Sequence, residues 1–148
     1  MWNEIVNKND LRSFMDIFLG FHDSCIKEIK YVSGAFVDEN LSMYPINDKR
    51  RLRMIVQRQY KNPSTIEMDF IGLIKLKISP LDENYTCEIL GATMGIKNDC
   101  IYWCDCDGIS ENDIDNYNGT LICSSRFRWR TADEYIGENE IYIERYHD

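Results

Sequence analysis

Apolar residues follow two different spacings along this chain, and the first of them predicts a helix. Near the N-terminus they recur every three or four positions, as one helix face requires: Leu11, Phe14, Met15, Phe18 and Leu19. Asn9 or Asp10 can cap the start of this helix, and Gly20 can end it by adopting a left-handed backbone conformation. The apolar face is broad, so we expect the helix to pack on a sheet.

From residue 25 onwards apolar residues alternate with polar ones, which is typical of β-strands. The predicted strands cover residues 25–32, 52–58, 66–78, 87–96, 100–106 and 121–130, with an edge strand within 136–146. The stretches 33–49 and 107–119 are expected to be irregular. The longest strand has the clearest pattern, and one set of its residues is expected to face a common interior: Ile66, Met68, Phe70, Ile74, Leu76 and Ile78. Gly72 interrupts this set, which predicts a bend or a close approach of two backbones.

Strands that follow one another through short connections predict an antiparallel sheet. A turn at residues 60–64 and a hairpin at 97–99 supply two such connections. We therefore expect an α+β fold, mainly β, with one N-terminal helix packed on an antiparallel sheet that is either strongly curved or barrel-like. The length of 148 residues fits a single domain, 1–148.

The chain is acidic, with a net charge of −8 and a pI near 4.8. A negative field repels the phosphates of nucleic acids and anionic membrane surfaces, so neither is expected as a partner. A basic protein is attracted instead. The N-terminal residues contain neither a basic region nor an apolar run, and no stretch is long enough to cross a bilayer. We expect a cytoplasmic protein whose six cysteines are thiols.

His22, Asp23 and Ser24 are the three residue types of a hydrolase triad, but they are neighbours in the chain. Successive side chains of an extended segment point to opposite faces, so these three do not converge as a triad requires. We expect Asp23 or Ser24 to bond free backbone groups where the helix meets the first strand. No catalytic residue is assigned on this basis, and His22 and Asp23 are retained as candidates because histidine titrates near neutrality.

Cys100, Cys104 and Cys106 form the densest cluster of potential metal ligands, but they lack the C-x-x-C pair of many zinc sites. On a strand they share one face with Tyr102, which favours buried thiols. The other cysteines also lie in predicted strands and are interpreted as core residues: Cys25, Cys87 and Cys123. The acidic stretch 105–115 lacks the glycine that an EF-hand loop has at its sixth position. Phosphate-binding glycine motifs are absent too, so neither a metal nor a cofactor is expected.

Arg126, Arg128 and Arg130 alternate with Phe127 and Trp129 in the strand predicted at 121–130, which gives it one basic face. Three guanidinium groups in a row could bind a phosphate or an acidic peptide. The alternative is that they pair with acidic residues on neighbouring strands. This row is the binding site that the sequence predicts.

The stretch from Phe18 to Ile29, in which a helix runs through Phe-His-Asp-Ser into a strand, resembles a recurring start in small bacterial proteins to which no activity is attached. Residues 43–48 and 129–137 also resemble parts of such proteins, so the likeness covers most of the chain. The resemblance implies a bacterial source and no particular chemistry.

These features favour a non-enzymatic, cytosolic protein-binding domain of the inhibitor or immunity type, with a basic protein as its partner. The acidic loop 107–119 would suit such a target. The alternative is an enzyme that acts on a small molecule in a pocket beside the helix, with His22 and either Asp23 or Glu28 as general acid and base. A pocket in which polar groups converge would distinguish the enzyme from the binding domain.

Overall fold

The structure, a computed structural model, describes residues 1–143 of the chain. The helix α1 spans Lys8–Ile17, and short 3₁₀ turns lie at Leu19–Phe21, Ile114–Asn116 and Asp133–Tyr135. No helix in this range is long and apolar enough to cross a membrane. The strands are β1 (Asn3–Ile5), β2 (Ser24–Val32), β3 (Phe36–Val37), β4 (Met43–Tyr44), β5 (Arg51–Arg58), β6 (Thr65–Lys77), β7 (Thr93–Lys97), β8 (Cys100–Cys104) and β9 (Leu121–Thr131).

The strand order of the main sheet is β2-β5-β6-β9-β8-β7, and every neighbouring pair is antiparallel. The long strand β9 has two partners along one edge, because β8 pairs with its first part and β1 with its second. Strands β3 and β4 form a separate hairpin between β2 and β5. The predicted α+β fold, mainly β, is confirmed. The barrel-like alternative is wrong, because β2 and β7 are the edges of a sheet that stays open over the described residues.

Asn7, and not a later residue, caps the start of α1. Its side-chain oxygen accepts a hydrogen bond from the N–H of Asp10 at 2.9 Å, and the Asp10 carboxylate accepts one from the N–H of Val6 at 3.0 Å. The first bond satisfies a backbone donor that the helix start leaves free, and the second ties the residue before the cap to the first turn. The predicted caps Asn9 and Asp10 therefore lie within the helix. Gly20 adopts the expected left-handed conformation, with φ of 61°, in the 3₁₀ turn that follows the helix.

Aromatic rings join α1 to the apolar face of the sheet. Phe14 of the helix lies against Trp129 of β9, with ring centroids 5.0 Å apart. Phe18 and Phe21 meet edge to face at 4.7 Å, and Phe21 reaches Trp103 of β8 at 5.5 Å. All five rings are buried. Full burial of such a side chain contributes about 1.5–3 kcal/mol, so packing on the sheet holds the helix in place, as predicted.

The predicted burial pattern of the longest strand breaks at Gly72 and returns only at Leu76, which packs against the core. The first three residues of the set are fully buried: Ile66, Met68 and Phe70. Ile74 and Ile78 are 56% and 50% exposed, so the common interior predicted for them is wrong. Gly72 has φ of +67°, and the pairing of β6 with β9 shifts register between Leu73 and Lys75. Leu73 is buried just before this β-bulge, Ile74 is its extra residue, and Leu76 beyond it packs against the core.

Several predicted strands have different bounds in the structure. The strand predicted at 87–96 is reduced to β7, and the one predicted at 100–106 ends at Cys104. Ile89 contributes an isolated bridge to Ser24. No strand lies between residues 136 and 143, so that part of the predicted edge strand is wrong; residues 144–146 of it lie outside the described range. The short strands β1, β3 and β4 were not predicted.

A second, smaller core covers the other face of the sheet at the β8–β9 end. Its members come from both strands and from the loop between them: Tyr102, Cys104, Ile114 and Leu121. In β9 the buried positions change parity between Ser124 and Phe127, both of which are buried. Simple alternation placed Ile122 and Ser124 on the same face as the arginines. In the structure both are buried, so the basic face of β9 begins only at Arg126.

Candidate functional site

The polar face of the sheet carries ion pairs centred on β6. Asp69 is fully buried and accepts two hydrogen bonds from Arg51, both at 2.7 Å, and one from Arg128 at 2.8 Å. Burial raises the pKa of Asp69, but the hydrogen bonds from the two arginines outweigh burial, so the pKa lies below its ordinary value. The carboxylate is therefore charged and paired at neutral pH.

Each of the three arginines predicted as a binding site faces a carboxylate. Trp2 also covers part of the row, because its ring lies 4.4 Å from the guanidinium of Arg128 and 5.3 Å from that of Arg130. An anion that bound these arginines would compete with a carboxylate at every position. The structure therefore shows the ion pairs that were the alternative interpretation of these arginines. Binding of a phosphate or an acidic peptide by them stays a prediction. The pairs are Arg126–Glu4 at 2.5 Å, Arg128–Asp69 at 2.8 Å and Arg130–Glu67 at 3.2 Å.

The segment 135–143 lies across β2 and β5 on the same face. Gln57 donates to two of its carbonyl oxygens, at 3.0 and 3.1 Å, and Glu28 accepts two of its backbone N–H groups, at 2.7 and 3.2 Å. The hydroxyl of Tyr142 donates to Glu67 at 2.8 Å, and burial together with this bond raises the pKa of Tyr142 above its ordinary value. Glu28, a candidate acid–base group, therefore binds backbone.

His22 and Asp23 lie where the helical segment meets β2. Nδ1 of His22 lies 2.9 Å from the carbonyl oxygen of Leu90, an acceptor, so Nδ1 carries the proton in this contact. Nε2 lies 3.5 Å from the Asp23 carboxylate, which also accepts a hydrogen bond from the Tyr60 hydroxyl at 3.0 Å. His22 is 53% exposed at its side chain. The two candidates are adjacent, but both are engaged by neighbouring groups.

A cavity of about 380 Å³ opens beside this junction. Asp23 and Ser24 line it, but His22 does not. The hydroxyl of Ser24 donates to the carbonyl of Phe21 at 2.5 Å, which confirms the predicted backbone bond at the junction. The serine therefore does not face the histidine as a nucleophile would face its base.

The six cysteines are free thiols in different environments. Cys104 is buried in the second core, and burial raises its pKa above the ordinary value. Cys100 and Cys106 are half-buried, while Cys87 is exposed, so the interpretation of Cys87 as a core residue is wrong. Residues 1–143 contain no group of three or more side chains arranged to hold a metal ion.

Two carboxylates of the acidic loop between β8 and β9 bond to other groups of the same chain. Asp105 accepts a hydrogen bond from the Tyr117 hydroxyl at 2.5 Å and one from the N–H of Thr120 at 3.2 Å. Burial and the bond to Asp105 raise the pKa of Tyr117 above its ordinary value. Asp115 pairs with Lys97 at 3.1 Å. The loop is thus folded onto the second core by its own polar contacts.

The stretch 33–49, which was expected to be irregular, contains the β3–β4 hairpin, and we call residues 33–48 the arm. Phe36 pairs with Tyr44 across the hairpin, and their rings stack with centroids 4.8 Å apart. Val37 pairs with Met43. Monomeric proteins rarely expose a large apolar patch unless it binds something. The arm exposes six large hydrophobic side chains by 44% to 85%: Phe36, Val37, Leu41, Met43, Tyr44 and Ile46.

Backbone and carboxylate hydrogen bonds order the arm. At its tip, Asp38 Oδ1 accepts the N–H groups of Asn40 at 2.9 Å and Ser42 at 3.0 Å, while the N–H of Asp38 donates to the carbonyl of Ser42 at 3.0 Å. At its base, two backbone N–H groups donate to the carbonyl of Ser33, both at 3.1 Å. These hydrogen bonds hold the two strands of the arm together at its tip and at its base.

All charged side chains of the arm are acidic. Asp38, Glu39 and Asp48 lie within residues 33–48, and the first basic residues, Lys49 and Arg50, follow directly at the base of the arm. The arm thus combines exposed apolar surface with negative charge only. Its sequence signal is a run of large hydrophobic residues without basic ones, between Gly34 and Asp48, which the search for alternation passed over.

Comparison with known proteins finds no relative: no protein-family model, no curated protein and no solved structure matches this chain. The resemblance to small bacterial proteins therefore stays a prediction, and the interpretation of the site depends on its geometry.

Proposed function

We propose that this protein is a non-enzymatic binding domain that uses the arm to bind a basic protein, as an inhibitor or immunity-type protein does. One observation carries the proposal: six large hydrophobic side chains are exposed on an ordered hairpin whose charges are all negative. Burial of the apolar side chains would supply the free energy of association. The carboxylates would steer a cationic partner and select against an acidic one.

The composition and order of the arm support this proposal. Aromatic residues and methionine are enriched in protein interfaces, and the arm exposes the stacked rings of Phe36 and Tyr44 on one face and Met43 on the other. A segment that is ordered before binding loses less conformational entropy when the complex forms. The proposal places the protein in a bacterial cytoplasm. It also excludes nucleic acid as the ligand, because the net charge is −8.

An enzyme based on His22 is the alternative, and it has less support. A general base should face a cavity that admits the substrate. His22 does not line the cavity beside it, and Glu28 is bonded to the segment 135–143. Asp23 lines the cavity, but its carboxylate already accepts a hydrogen bond from the Tyr60 hydroxyl at 3.0 Å. We therefore prefer the binding domain.

Photo-crosslinking from the arm tests the proposal in the cell of origin. A photoreactive amino acid replaces Leu41, which is 85% exposed at the tip, and in a control chain it replaces Leu90, which is 70% exposed on another loop. We expect position 41 to crosslink to one basic protein that position 90 does not reach. Equal crosslinking from both positions, or none from position 41, would contradict the proposal.

Matched variants then measure the contribution of the arm with the purified partner. Phe36→Ser and Met43→Ser each remove an exposed apolar side chain of the arm, and Leu90→Ser removes one elsewhere. Truncation of an interface hot spot costs about 2 kcal/mol, so each arm variant should weaken binding roughly 30-fold while the control leaves it unchanged. The association rate should fall as salt is raised. A salt-independent rate would exclude a basic partner steered by the arm.

A further inference from the structure

A basic pocket lies on the polar face of the sheet, at the edge formed by β2 and β5. Its volume is about 330 Å³, which lies within the range of about 300–1,000 Å³ that small-molecule sites occupy. Four of the five side chains that line it are cationic, and none is acidic: Lys30, Val32, Lys49, Arg51 and Arg53. Such a concentration of positive charge is unexpected in a chain whose net charge is −8.

The register of the sheet brings two of these cations together. Lys30 on β2 lies directly opposite Arg53 on β5. Like charges at directly opposed positions of an antiparallel pair destabilise the sheet. None of the ion pairs formed among residues 1–143 includes Lys30, Lys49 or Arg53. An anion bound between these cations would attract each of them and offset their mutual repulsion.

The carboxylate that β6 places opposite the pocket already has hydrogen-bond partners. Asp69 lies directly opposite Arg53 in the β5–β6 register, but its oxygens accept hydrogen bonds from Arg51 and Arg128. Two arginines thus share one negative charge. The bond to Asp69 uses Nε and Nη2 of Arg51, which fixes its guanidinium and leaves the Nη1 donors free. Arg51 is thereby oriented in advance for a further acceptor.

We propose that this pocket binds the phosphate group of a small ligand. Arginine and lysine side chains are the usual partners of phosphate oxygens, and a phosphate group carries enough negative charge to engage several cations at once. Val32 supplies an apolar wall for the rest of the ligand. The site lies at the base of the arm, because Val32 and Lys49, which line it, directly precede and follow residues 33–48.

Inorganic pyrophosphate is the probe that tests the pocket, with citrate as an anion of similar charge that carries carboxylates instead. Titration calorimetry on the full chain should show saturable pyrophosphate binding that weakens as salt is raised. Citrate should bind at least tenfold more weakly. No saturable binding of pyrophosphate at millimolar concentrations would overturn the proposal, and equal affinity for citrate would overturn the assignment of phosphate.

Three charge-removing variants separate the pocket from general electrostatics. Loss of one charge-assisted hydrogen bond should weaken pyrophosphate binding about tenfold in Lys30→Gln and in Arg53→Gln. Lys8→Gln removes the same charge from α1 and should leave the affinity unchanged. Lys30→Gln should also raise the Tm of the ligand-free protein, because it removes the repulsion with Arg53, so weaker binding cannot be ascribed to unfolding. Equal loss of affinity in all three variants, or an unchanged affinity in Lys30→Gln and Arg53→Gln, would overturn the proposal.

Discussion

Arg51 holds Asp69 with two parallel hydrogen bonds, from Nε to Oδ1 and from Nη2 to Oδ2, both 2.7 Å long. Arg128 adds a third at 2.8 Å, from the strand on the other side of β6. Asp69 is fully buried, and a buried charge is stable only when it is paired and hydrogen-bonded. This carboxylate therefore joins β5, β6 and β9 on the polar face and orients the arginines on either side of it.

Asp69→Asn should destabilise the protein markedly. The asparagine keeps the shape of the side chain but removes the charge that Arg51 and Arg128 share, and breaking a buried ion pair costs about 3–5 kcal/mol. Both arginines remain partly exposed to water, so we expect a loss near 3 kcal/mol in urea unfolding. Glu134→Gln is the control, because its 3.7 Å pair with Arg130 is exposed and worth less than about 1 kcal/mol. Similar losses in the two variants would disprove the central role of Asp69.

Asp69 should also make stability depend on acid pH. Its pKa is below the ordinary value, so the stability that it contributes is fully present above the unfolded-state pKa of about 3.9. That stability is lost as pH falls from there through the folded-state pKa. Asp133 acts in the same direction. Burial raises its pKa, but hydrogen bonds from the N–H groups of Thr65 and Ser64 outweigh burial, so its pKa lies below the ordinary value. The unfolding free energy, measured in urea from neutral pH down to about pH 2, should decline below about pH 4 and less steeply in Asp69→Asn. An equal decline in both proteins would assign the acid sensitivity to other groups.

Alternation of apolar and polar residues was enough to predict the helix and the long strands, because a buried face leaves a regular mark on the sequence. It could not predict the bulge after Gly72, where one extra residue exposes Ile74 without any change in composition. Nor could it predict β1, because a three-residue strand carries too little pattern. The place of β1 depends on the part of the β9 edge that β8 leaves unpaired.

The candidate sites were predictable only in part, since they depend on contacts between distant segments. The arginine row was visible in the sequence, but its partners were not, because Arg128 meets Asp69 only through the pairing of β6 with β9. The arm was missed for a different reason. Hydrophobic residues are expected to be buried by default, and only the structure shows that Phe36 and Leu41 remain exposed.

Gly72→Ala should be more costly than a glycine substitution at a similar backbone conformation elsewhere. Gly72 has φ of +67°, and an added Cβ would lie 2.2 Å from Oγ of Ser125. Gly108 has φ of +70° with nothing within 4 Å of an added Cβ, so Gly108→Ala reports the backbone strain alone, about 1–2 kcal/mol. We expect Gly72→Ala to lose about 1–3 kcal/mol more in thermal unfolding, because of the steric conflict. Ser125→Ala should remove that excess in the double variant, and an excess that persists would place the conflict elsewhere.

The thiols should react in the order of their exposure, which tests whether the cysteines of the second core serve packing. A thiolate is the reactive form, so a buried thiol with a raised pKa reacts slowly at neutral pH. Cys87 is exposed, whereas Cys104 is buried and burial raises its pKa. With an aromatic disulfide reagent followed by absorbance, Cys87 should give a fast phase that disappears in Cys87→Ser. Cys104 should react only as fast as the protein unfolds, so its rate should rise with urea. A fast reaction of Cys104 in the folded protein would mean that the second core opens readily, and the packing role of that cysteine would have to be given up.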